Sequence, residues 1–177
     1  MTRLINFLTF SRMLLAPIIF TFLIIENYLI CILLFFLAGI SDYLDGYFAR
    51  KYNAESLLGE ILDPIADKIL IVFLLIGLAV SLNSILIASL GALIIAREIG
   101  VAALRDFSAR NNSSHKTKVT FLAKVKTSVQ LLTIGLYLFA LTLSFNLLIV
   151  ISDILLIIST LITLYTGFQY MTNVLKE

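Results

Sequence analysis

The sequence contains no tryptophan and only one cysteine, one histidine and two prolines. The single Cys31 can form no intrachain disulfide, so a disulfide framework does not stabilise the fold. His115 has no nearby cysteine or second histidine, which argues against a zinc site. Charged residues make up only 14% of the chain, hydrophobic residues make up 60%, and the mean hydropathy is +1.06. These values predict an integral membrane protein.

Long apolar runs account for most of the chain. Each approaches the ~20 residues that a helix needs to cross a bilayer. The first run could pass for a signal peptide, but Arg12 interrupts it and no small-residue cleavage site follows, so we expect a retained helix. The sequence therefore predicts an all-α, polytopic membrane protein, with residues 1–177 in a single domain. Its six transmembrane helices are expected at about 5–25, 29–41 with an acidic continuation, 60–81, 84–104, 121–142 and 147–172.

Lysine and arginine alternate between the two sides of this predicted bundle. They are concentrated at the N-terminus, at 50–51, across 105–126 and at Lys176, whereas the connections near 25–28, 81–84 and 143–146 have neither. Short loops rich in these residues stay on the cytoplasmic side, so both termini are expected to be cytoplasmic. Anionic lipid head groups explain these basic residues, and no nucleic acid partner is needed.

Four aspartates interrupt the apolar pattern between residues 41 and 70, in SDYLDGYFARKYNAESLLGEILDPIADKIL. Asp42 and Asp45 are three residues apart, and Asp63 and Asp67 are four apart, so on helices each pair shares one face. A carboxylate at membrane depth costs at least ~2.5 kcal/mol, so this cluster requires a partner. Two helices joined by a short polar turn around 51–58 could direct both pairs to one point.

The partner that the pattern favours is a divalent cation. Arg50, Lys51 and Lys68 are the only cations expected nearby, and they cannot neutralise four carboxylates in a compact site. Oxygen ligands without histidine or cysteine favour hard ions such as Mg²⁺, Mn²⁺ or Ca²⁺. Arg50 could hold a phosphate oxygen, which together with metal describes phosphate transfer. The alternative is that the aspartates are solvated at helix ends or paired with Arg50 and Lys68.

Proline and glycine add detail to the second and third predicted helices. Pro64 directly follows Asp63 and lies either in the first turn of a helix or in its interior, where it would produce a kink. Gly39, Gly46 and Gly59 are small residues that allow helices to approach each other closely.

The segment can be written D-x-x-D-G-x-x-A-R-x8-G-x3-D-x3-D, and every defined position is filled. This pattern resembles the signature of the CDP-alcohol phosphotransferase family, whose members also have six helices with both termini inside. The resemblance implies a two-metal centre of Mg²⁺ or Mn²⁺ held by Asp42, Asp45, Asp63 and Asp67. Asp67 would also be the base that accepts the proton of the acceptor hydroxyl.

The same resemblance implies a nucleotide site. Gly46, Ala49 and Gly59 would contact the cytidine side of CDP-diacylglycerol, since their lack of bulk lets a nucleotide approach the backbone. Arg50 would bind the diphosphate. The family also implies a homodimer in the inner membrane, with the active site facing the cytoplasm.

Flanking segments such as INFLTFSR at 5–12 and REIGVAALR at 97–105 are similar to those of family members that use sn-glycerol 3-phosphate as acceptor. Such an acceptor needs its own cationic pocket, for which the candidates are Arg97, Arg105, Lys124 and Lys126. Arg97 could instead pair with Glu98, and the two lysines could be anchors at the membrane interface.

Two alternatives remain from the sequence. One is a transferase of the same fold with another acceptor, such as a cardiolipin synthase or a phosphatidylserine or phosphatidylinositol-phosphate synthase. The other is a divalent-cation transporter, which also places carboxylates among helices. Transport would predict acidic residues at the bilayer midplane in two matching halves, whereas these aspartates lie in one half and at helix ends.

Overall fold

The computed structural model describes residues 2–52, 57–110 and 121–175. Within these ranges the chain forms six α-helices, each long and apolar enough to cross a membrane. The prediction of an all-helical, multi-pass membrane protein is therefore confirmed. The helices are α1 (Thr2–Ile24), α2 (Tyr28–Tyr52), α3 (Leu57–Ser81), α4 (Ile85–Arg110), α5 (Phe121–Leu143) and α6 (Asn146–Leu175).

The helices form a closed ring. Each packs against its neighbours in the spatial order α1, α2, α5, α6, α4 and α3, and α3 returns to α1. α3 also contacts α5 across the ring. This cross-contact divides the interior into one space beside α2 and another beside α4.

The apolar core lies towards the end of the ring at which short turns connect α1 to α2 and α3 to α4. Ile19 and Leu23 of α1 and Leu74 and Leu78 of α3 are fully buried there. Gly77 brings α3 close to α1, because a Cβ atom at this position would lie 2.8 Å from Leu23 Cδ1. The buried Arg12 lies earlier in α1, and the partly or largely exposed Asp63 and Asp67 lie earlier in α3. The apolar core and these charged residues therefore occupy opposite ends of the helix pair.

Three short turns connect α1 to α2, α3 to α4 and α5 to α6. Glu26, Asn83 and Ser144 adopt φ angles of 60°, 45° and 53°, and the residue after each donates its N–H to a carbonyl five residues earlier, at 2.9, 3.0 and 3.0 Å. This is the Schellman arrangement, which satisfies carbonyl groups that a helix end leaves without partners. These are also the three connections without lysine or arginine.

Candidate active site

Arg12 of α1 connects the two predicted aspartate pairs. Its side chain is only 1% exposed, and its Nη1 lies 2.7 Å from both Asp42 Oδ1 and Asp67 Oδ1. Its Nη2 lies 3.4 Å from Asp45 Oδ2. One guanidinium from α1 thus contacts carboxylates of α2 and α3, because its fork of N–H groups can serve several acceptors at once.

Thr9, one helical turn before Arg12, brings in the fourth aspartate. Its Oγ1 lies 2.7 Å from Asp45 Oδ2 and 2.8 Å from Asp63 Oδ1. A hydroxyl has one proton, so Thr9 can donate to only one of these carboxylates at a time. The sequence prediction that all four aspartates share one site is supported by these contacts. We call Thr9, Arg12 and the four aspartates the carboxylate network.

The expectation that Arg50, Lys51 and Lys68 are the only cations near the aspartates is wrong, because Arg12 approaches from another helix. From the sequence, Arg12 counted only against a signal peptide and towards the positive charge of the N-terminal segment. Its signal was present nonetheless: an arginine inside an apolar run requires a partner, and a carboxylate cluster was the obvious candidate.

The donor chemistry of the carboxylate network suits a divalent cation. The network contains four carboxylates and one guanidinium, a formal net charge of −3. The buried Oδ1 atom of Asp45 has no hydrogen-bond partner among the described residues. In the present side-chain arrangement no three acidic, histidine or cysteine residues of the described ranges are placed to enclose a metal ion. Arg12 lies among them instead. The oxygen-only donors and the net negative charge of the carboxylate network fit Mg²⁺ or Mn²⁺.

A second network of opposite charge lies on α4 and α5. Glu98 accepts a hydrogen bond from Arg97 Nη1 at 2.8 Å and another from Lys126 Nζ. The side chains of Arg97 and Lys126 are only 7% and 4% exposed. The pairing of Arg97 with Glu98, which the sequence left open as the alternative to phosphate binding, is present. The interface-anchor alternative is wrong for Lys126, because an anchor keeps its ammonium group in water. With Arg105, these residues form what we call the cation network.

The cation network lines a cavity of about 490 Å³ between α3, α4 and α5. Of the described residues, four with cationic and two with acidic side chains line it, which gives a formal net charge of +2. Such a cavity favours a small anion. We call it the cationic cavity; its charged lining residues are Asp67, Lys68, Arg97, Glu98, Arg105 and Lys126.

A second cavity, of about 380 Å³, lies between α2, α3 and α5 and is mostly apolar. Its apolar lining includes Phe35, Phe36, Leu70 and Leu131. Gly39 also lines it, and a Cβ atom at this position would meet no described atom within 4 Å. The prediction that Gly39 allows close helix packing is therefore wrong, since the missing side chain enlarges a cavity instead. We call this space the apolar cavity.

Asp67, Ile71 and Thr127 line both cavities. Ile71 and Thr127 lie on α3 and α5, the two helices that meet across the ring. The side chain of Asp67 is 55% exposed, so its carboxylate can be reached by a ligand. One carboxylate of the carboxylate network therefore lies where an apolar cavity meets a cationic one.

The other predicted site residues lie on α2 and α3 or outside the part of the chain for which side chains are described. Gly46 is exposed on α2 beside Asp45, and Gly59 is buried near the beginning of α3. Pro64 lies in the interior of α3, so the first-turn alternative is wrong, and it lines the cationic cavity. The side chains of Ala49, Arg50 and Lys124 lie outside the part of the chain for which side chains are described.

The chain is similar in sequence to one protein family and to several of its bacterial members. The family model described as CDP-alcohol phosphatidyltransferase matches residues 3–167. A protein from Haemophilus influenzae is 35% identical over 93% of this chain and 89% of its own length. Proteins from Rickettsia felis and Rickettsia typhi are 39% and 37% identical, over 93% and 96% of this chain and 91% and 96% of their own lengths. All three are named CDP-diacylglycerol--glycerol-3-phosphate 3-phosphatidyltransferase.

Proposed function

The chain belongs to the CDP-alcohol phosphatidyltransferase family, and from this premise we propose that it transfers a phosphatidyl group from CDP-diacylglycerol to sn-glycerol 3-phosphate. The products are phosphatidylglycerophosphate and CMP. The observation that carries the proposal is that Asp67 lines both the apolar and the cationic cavity. A transferase of this kind must bring a lipid donor and a phosphorylated acceptor to one reacting centre. The transporter alternative has no such need, and the family is one of transferases.

Each cavity suits one substrate. The lining of the apolar cavity, with residues such as Phe36 and Leu131, suits the diacylglycerol part of the donor in polarity. The net charge of +2 in the cationic cavity matches the two negative charges of a phosphate monoester. Arg97, Arg105 and Lys126 are the residues we assign to that phosphate, and Lys124 is a further candidate beside them. Serine has no phosphate, so it would leave these cations without a counter-charge.

The chemistry is a displacement at phosphorus. The hydroxyl oxygen of the acceptor forms a bond to the phosphorus of the phosphatidyl group, and the bond from that phosphorus to the CMP oxygen breaks. The carboxylate of Asp67 takes the proton of the hydroxyl. Asp42, Asp45, Asp63 and Asp67 would hold Mg²⁺ or Mn²⁺, which supplies positive charge to the diphosphate and to the leaving group.

The nucleotide end of the donor is assigned by resemblance to the family. Gly46, Ala49 and Gly59 are proposed to contact the cytidine side, and Arg50 to bind the diphosphate. Gly46 directly follows Asp45 on α2, and Gly59 lies four residues before Asp63 on α3. A nucleotide bound beside them would therefore have its diphosphate near the carboxylates.

We place the protein in the inner membrane as a homodimer, with both termini and the active site on the cytoplasmic side. The orientation follows from the lysine and arginine bias. In a Cys31→Ser background, a cysteine introduced by Asn83→Cys should react with an impermeant thiol reagent in intact cells. A cysteine introduced by Ser113→Cys, at a position outside the described residues, should be protected. The opposite labelling pattern would invert the orientation.

The activity is tested with purified protein in lipid vesicles that contain CDP-diacylglycerol. Glycerol 3-phosphate, serine, inositol phosphate and phosphatidylglycerol are supplied as acceptors in separate reactions, and CMP and the lipid product are quantified. Of the four acceptors, we expect only glycerol 3-phosphate to react. It should give CMP and phosphatidylglycerophosphate in equal amounts, and only when Mg²⁺ or Mn²⁺ is present. Preferred use of another acceptor would reject this assignment within the family.

A further inference from the structure

One turn of α6 contacts both arginines of the cation network. Thr166 and Tyr170 are four residues apart and therefore lie on one face of the helix, with Gly167 beside them. All three positions lie more than sixty residues after Arg97 and Arg105 in the sequence: Thr166 is 69 residues after Arg97, and Tyr170 is 65 residues after Arg105. Among the described residues, none of the three lines the cationic cavity, so any influence on a ligand there must act through the arginines.

Thr166 determines where the Arg97 guanidinium points. Arg97 Nη2 donates to Thr166 Oγ1 at 2.8 Å, while Nη1 donates to Glu98 at 2.8 Å. The Thr166 hydroxyl lies 2.9 Å from the carbonyl oxygen of Ile162 and 3.0 Å from that of Thr163. Its single proton is directed to the helix backbone, so its oxygen is available as an acceptor for Arg97.

Gly167 provides room for the stem of the same arginine. A Cβ atom at this position would lie 2.8 Å from Arg97 Cγ and 3.0 Å from Arg97 Nε. Any side chain at 167 would therefore push the arginine away from α6. The contact with Thr166 and the close approach at Gly167 together define one position for Arg97.

Tyr170 supports the second arginine. Its hydroxyl oxygen accepts a hydrogen bond from Arg105 Nη2 at 3.1 Å, and its ring centre lies 5.1 Å from Arg105 Cζ. The same ring lies 5.9 Å from Arg97 Cζ. Both distances are within the range of attraction between a cation and an aromatic ring. A single buried tyrosine thus contacts both guanidinium groups.

We propose that Thr166, Gly167 and Tyr170 form an arginine support, a set of positioning residues that orients Arg97 and Arg105 to bind the phosphate of the acceptor alcohol. This inference rests on the proposed function, because it takes the cationic cavity to be the acceptor site. A guanidinium has five N–H donors, and Arg97 uses two of them on Thr166 and Glu98, so donors remain for a ligand. Orienting the side chain in advance removes part of the entropy cost of binding.

The central variant is Thr166→Val, which keeps the side-chain shape and removes the acceptor oxygen. In the full-length protein in vesicles, we expect the KM for glycerol 3-phosphate to rise about tenfold, equivalent to ~1.4 kcal/mol, while the KM for CDP-diacylglycerol changes less than about twofold. Thr166→Ser retains the hydroxyl and should restore the parent KM. Calorimetric titration with glycerol 3-phosphate should show the same order of affinities without turnover.

Thr160→Val is the matched control on the same helix. Thr160 is also buried, and its hydroxyl donates to the Leu156 carbonyl at 2.7 Å, with no described hydrogen bond to an arginine. This variant should leave both KM values unchanged. Tyr170→Phe keeps the ring and removes the hydroxyl, so it provides a second probe with a smaller expected rise, about threefold, in the KM for glycerol 3-phosphate.

The outcomes separate this proposal from the proposed function. If the parent protein is active but Thr166→Val and Thr160→Val have the same kinetics, the arginine support is wrong and the function stands. Equal increases in both KM values for Thr166→Val would also reject it, because that pattern indicates general distortion. If the parent protein forms no product from glycerol 3-phosphate, the proposed function fails and the acceptor role of the support fails with it.

Discussion

The two charge networks of this protein have opposite compositions. In the carboxylate network a single guanidinium, Arg12, contacts three of four carboxylates. In the cation network a single carboxylate, Glu98, accepts from two of three cations. Each network contains one residue of the opposite charge that organises the others but leaves the total unbalanced, at formally −3 and +2.

We interpret the imbalance as a consequence of what each network is proposed to bind. Residues placed only to hold helices together would be expected to balance, because an uncompensated buried charge is costly. An excess of carboxylates is suited to a divalent cation, and an excess of cations is suited to a phosphate. Asp67 belongs to the first network and also lines the cavity of the second. The two ligands are therefore expected to meet at this residue.

The largest expected effect comes from disabling the carboxylate network at that meeting point. Asp67→Asn keeps the shape of the side chain but removes its charge and its ability to take a proton. We expect kcat to fall by about a hundredfold to ten-thousandfold, the usual contribution of a positioned base. Steady-state assays with purified protein measure this, and excess EDTA should abolish turnover of the parent. Normal rates for the variant or in EDTA would contradict the assigned chemistry.

The next largest effect is on stability and concerns Arg12. Arg12→Gln removes the one cation of the carboxylate network. In EDTA we therefore expect the free energy of unfolding to fall by about 3 kcal/mol. This value is at the low end for a broken buried ion pair, because Asp42 and Asp67 are half exposed. Added Mg²⁺ should stabilise the variant more than the parent. Unfolding titrations with and without Mg²⁺ provide the measurement. Equal stability of variant and parent in EDTA would show that Arg12 is not the counter-charge.

Arg12 also illustrates what the sequence could and could not provide. The spacing of the four aspartates predicted their shared site, because both pairs lie on single helices where three-residue and four-residue spacing determines the face. The partner of those aspartates lies 33 residues before Asp45 on another helix. Its position depends on how α1 packs against α2 and α3, which no local pattern records.

Breaking the cation network should have a moderate effect that is confined to one substrate. Arg105→Ala removes one of the three cations, and we expect about a tenfold rise in the KM for glycerol 3-phosphate, from the loss of a charge-assisted contact worth ~1.5 kcal/mol. The KM for CDP-diacylglycerol should stay nearly constant. A kinetic series in each substrate separately tests this. A rise only in the KM for CDP-diacylglycerol would place Arg105 on the donor side.

The smallest expected effect comes from an ion pair outside both networks. Asp106 and Arg110 on α4 are 63% and 78% exposed and 2.9 Å apart. Asp106→Asn should change the free energy of unfolding by less than about 0.5 kcal/mol, since exposed pairs contribute little. Activity should stay at the parent level. A large loss of activity would indicate that activity depends on any charge near this end of α4, and that the dependence is not specific to the two networks.

The cavities and the arginine support were harder to predict than the helices. Apolar runs revealed all six helices because spanning helices need long stretches of such residues. Thr166, Gly167 and Tyr170 look like packing residues within an apolar run, and their role becomes visible only when α6 lies against α4. The expectation for Gly39 failed for a related reason, because a small residue permits close packing or an open space, and only the neighbouring helices decide which.

The central claim is that the two substrates reach Asp67 from two separate cavities. It is tested most directly by filling one cavity and removing charge from the other, with KM measured for each substrate. Gly39→Leu puts bulk into the apolar cavity, and Arg97→Ala removes a cation from the cationic cavity. Gly100→Leu is the matched control, because Gly100 is exposed on α4, lines neither cavity among the described residues and has no described atom within 4 Å of its Cβ position.

We expect Gly39→Leu to raise the KM for CDP-diacylglycerol about tenfold and to leave the KM for glycerol 3-phosphate within about twofold of the parent. Arg97→Ala should raise the KM for glycerol 3-phosphate about tenfold and leave the KM for CDP-diacylglycerol within about twofold. Gly100→Leu should change neither KM. This crossed result requires that the donor and the acceptor occupy different cavities. If both variants raise the KM for the same substrate, or if each affects both substrates equally, the two-cavity account is contradicted.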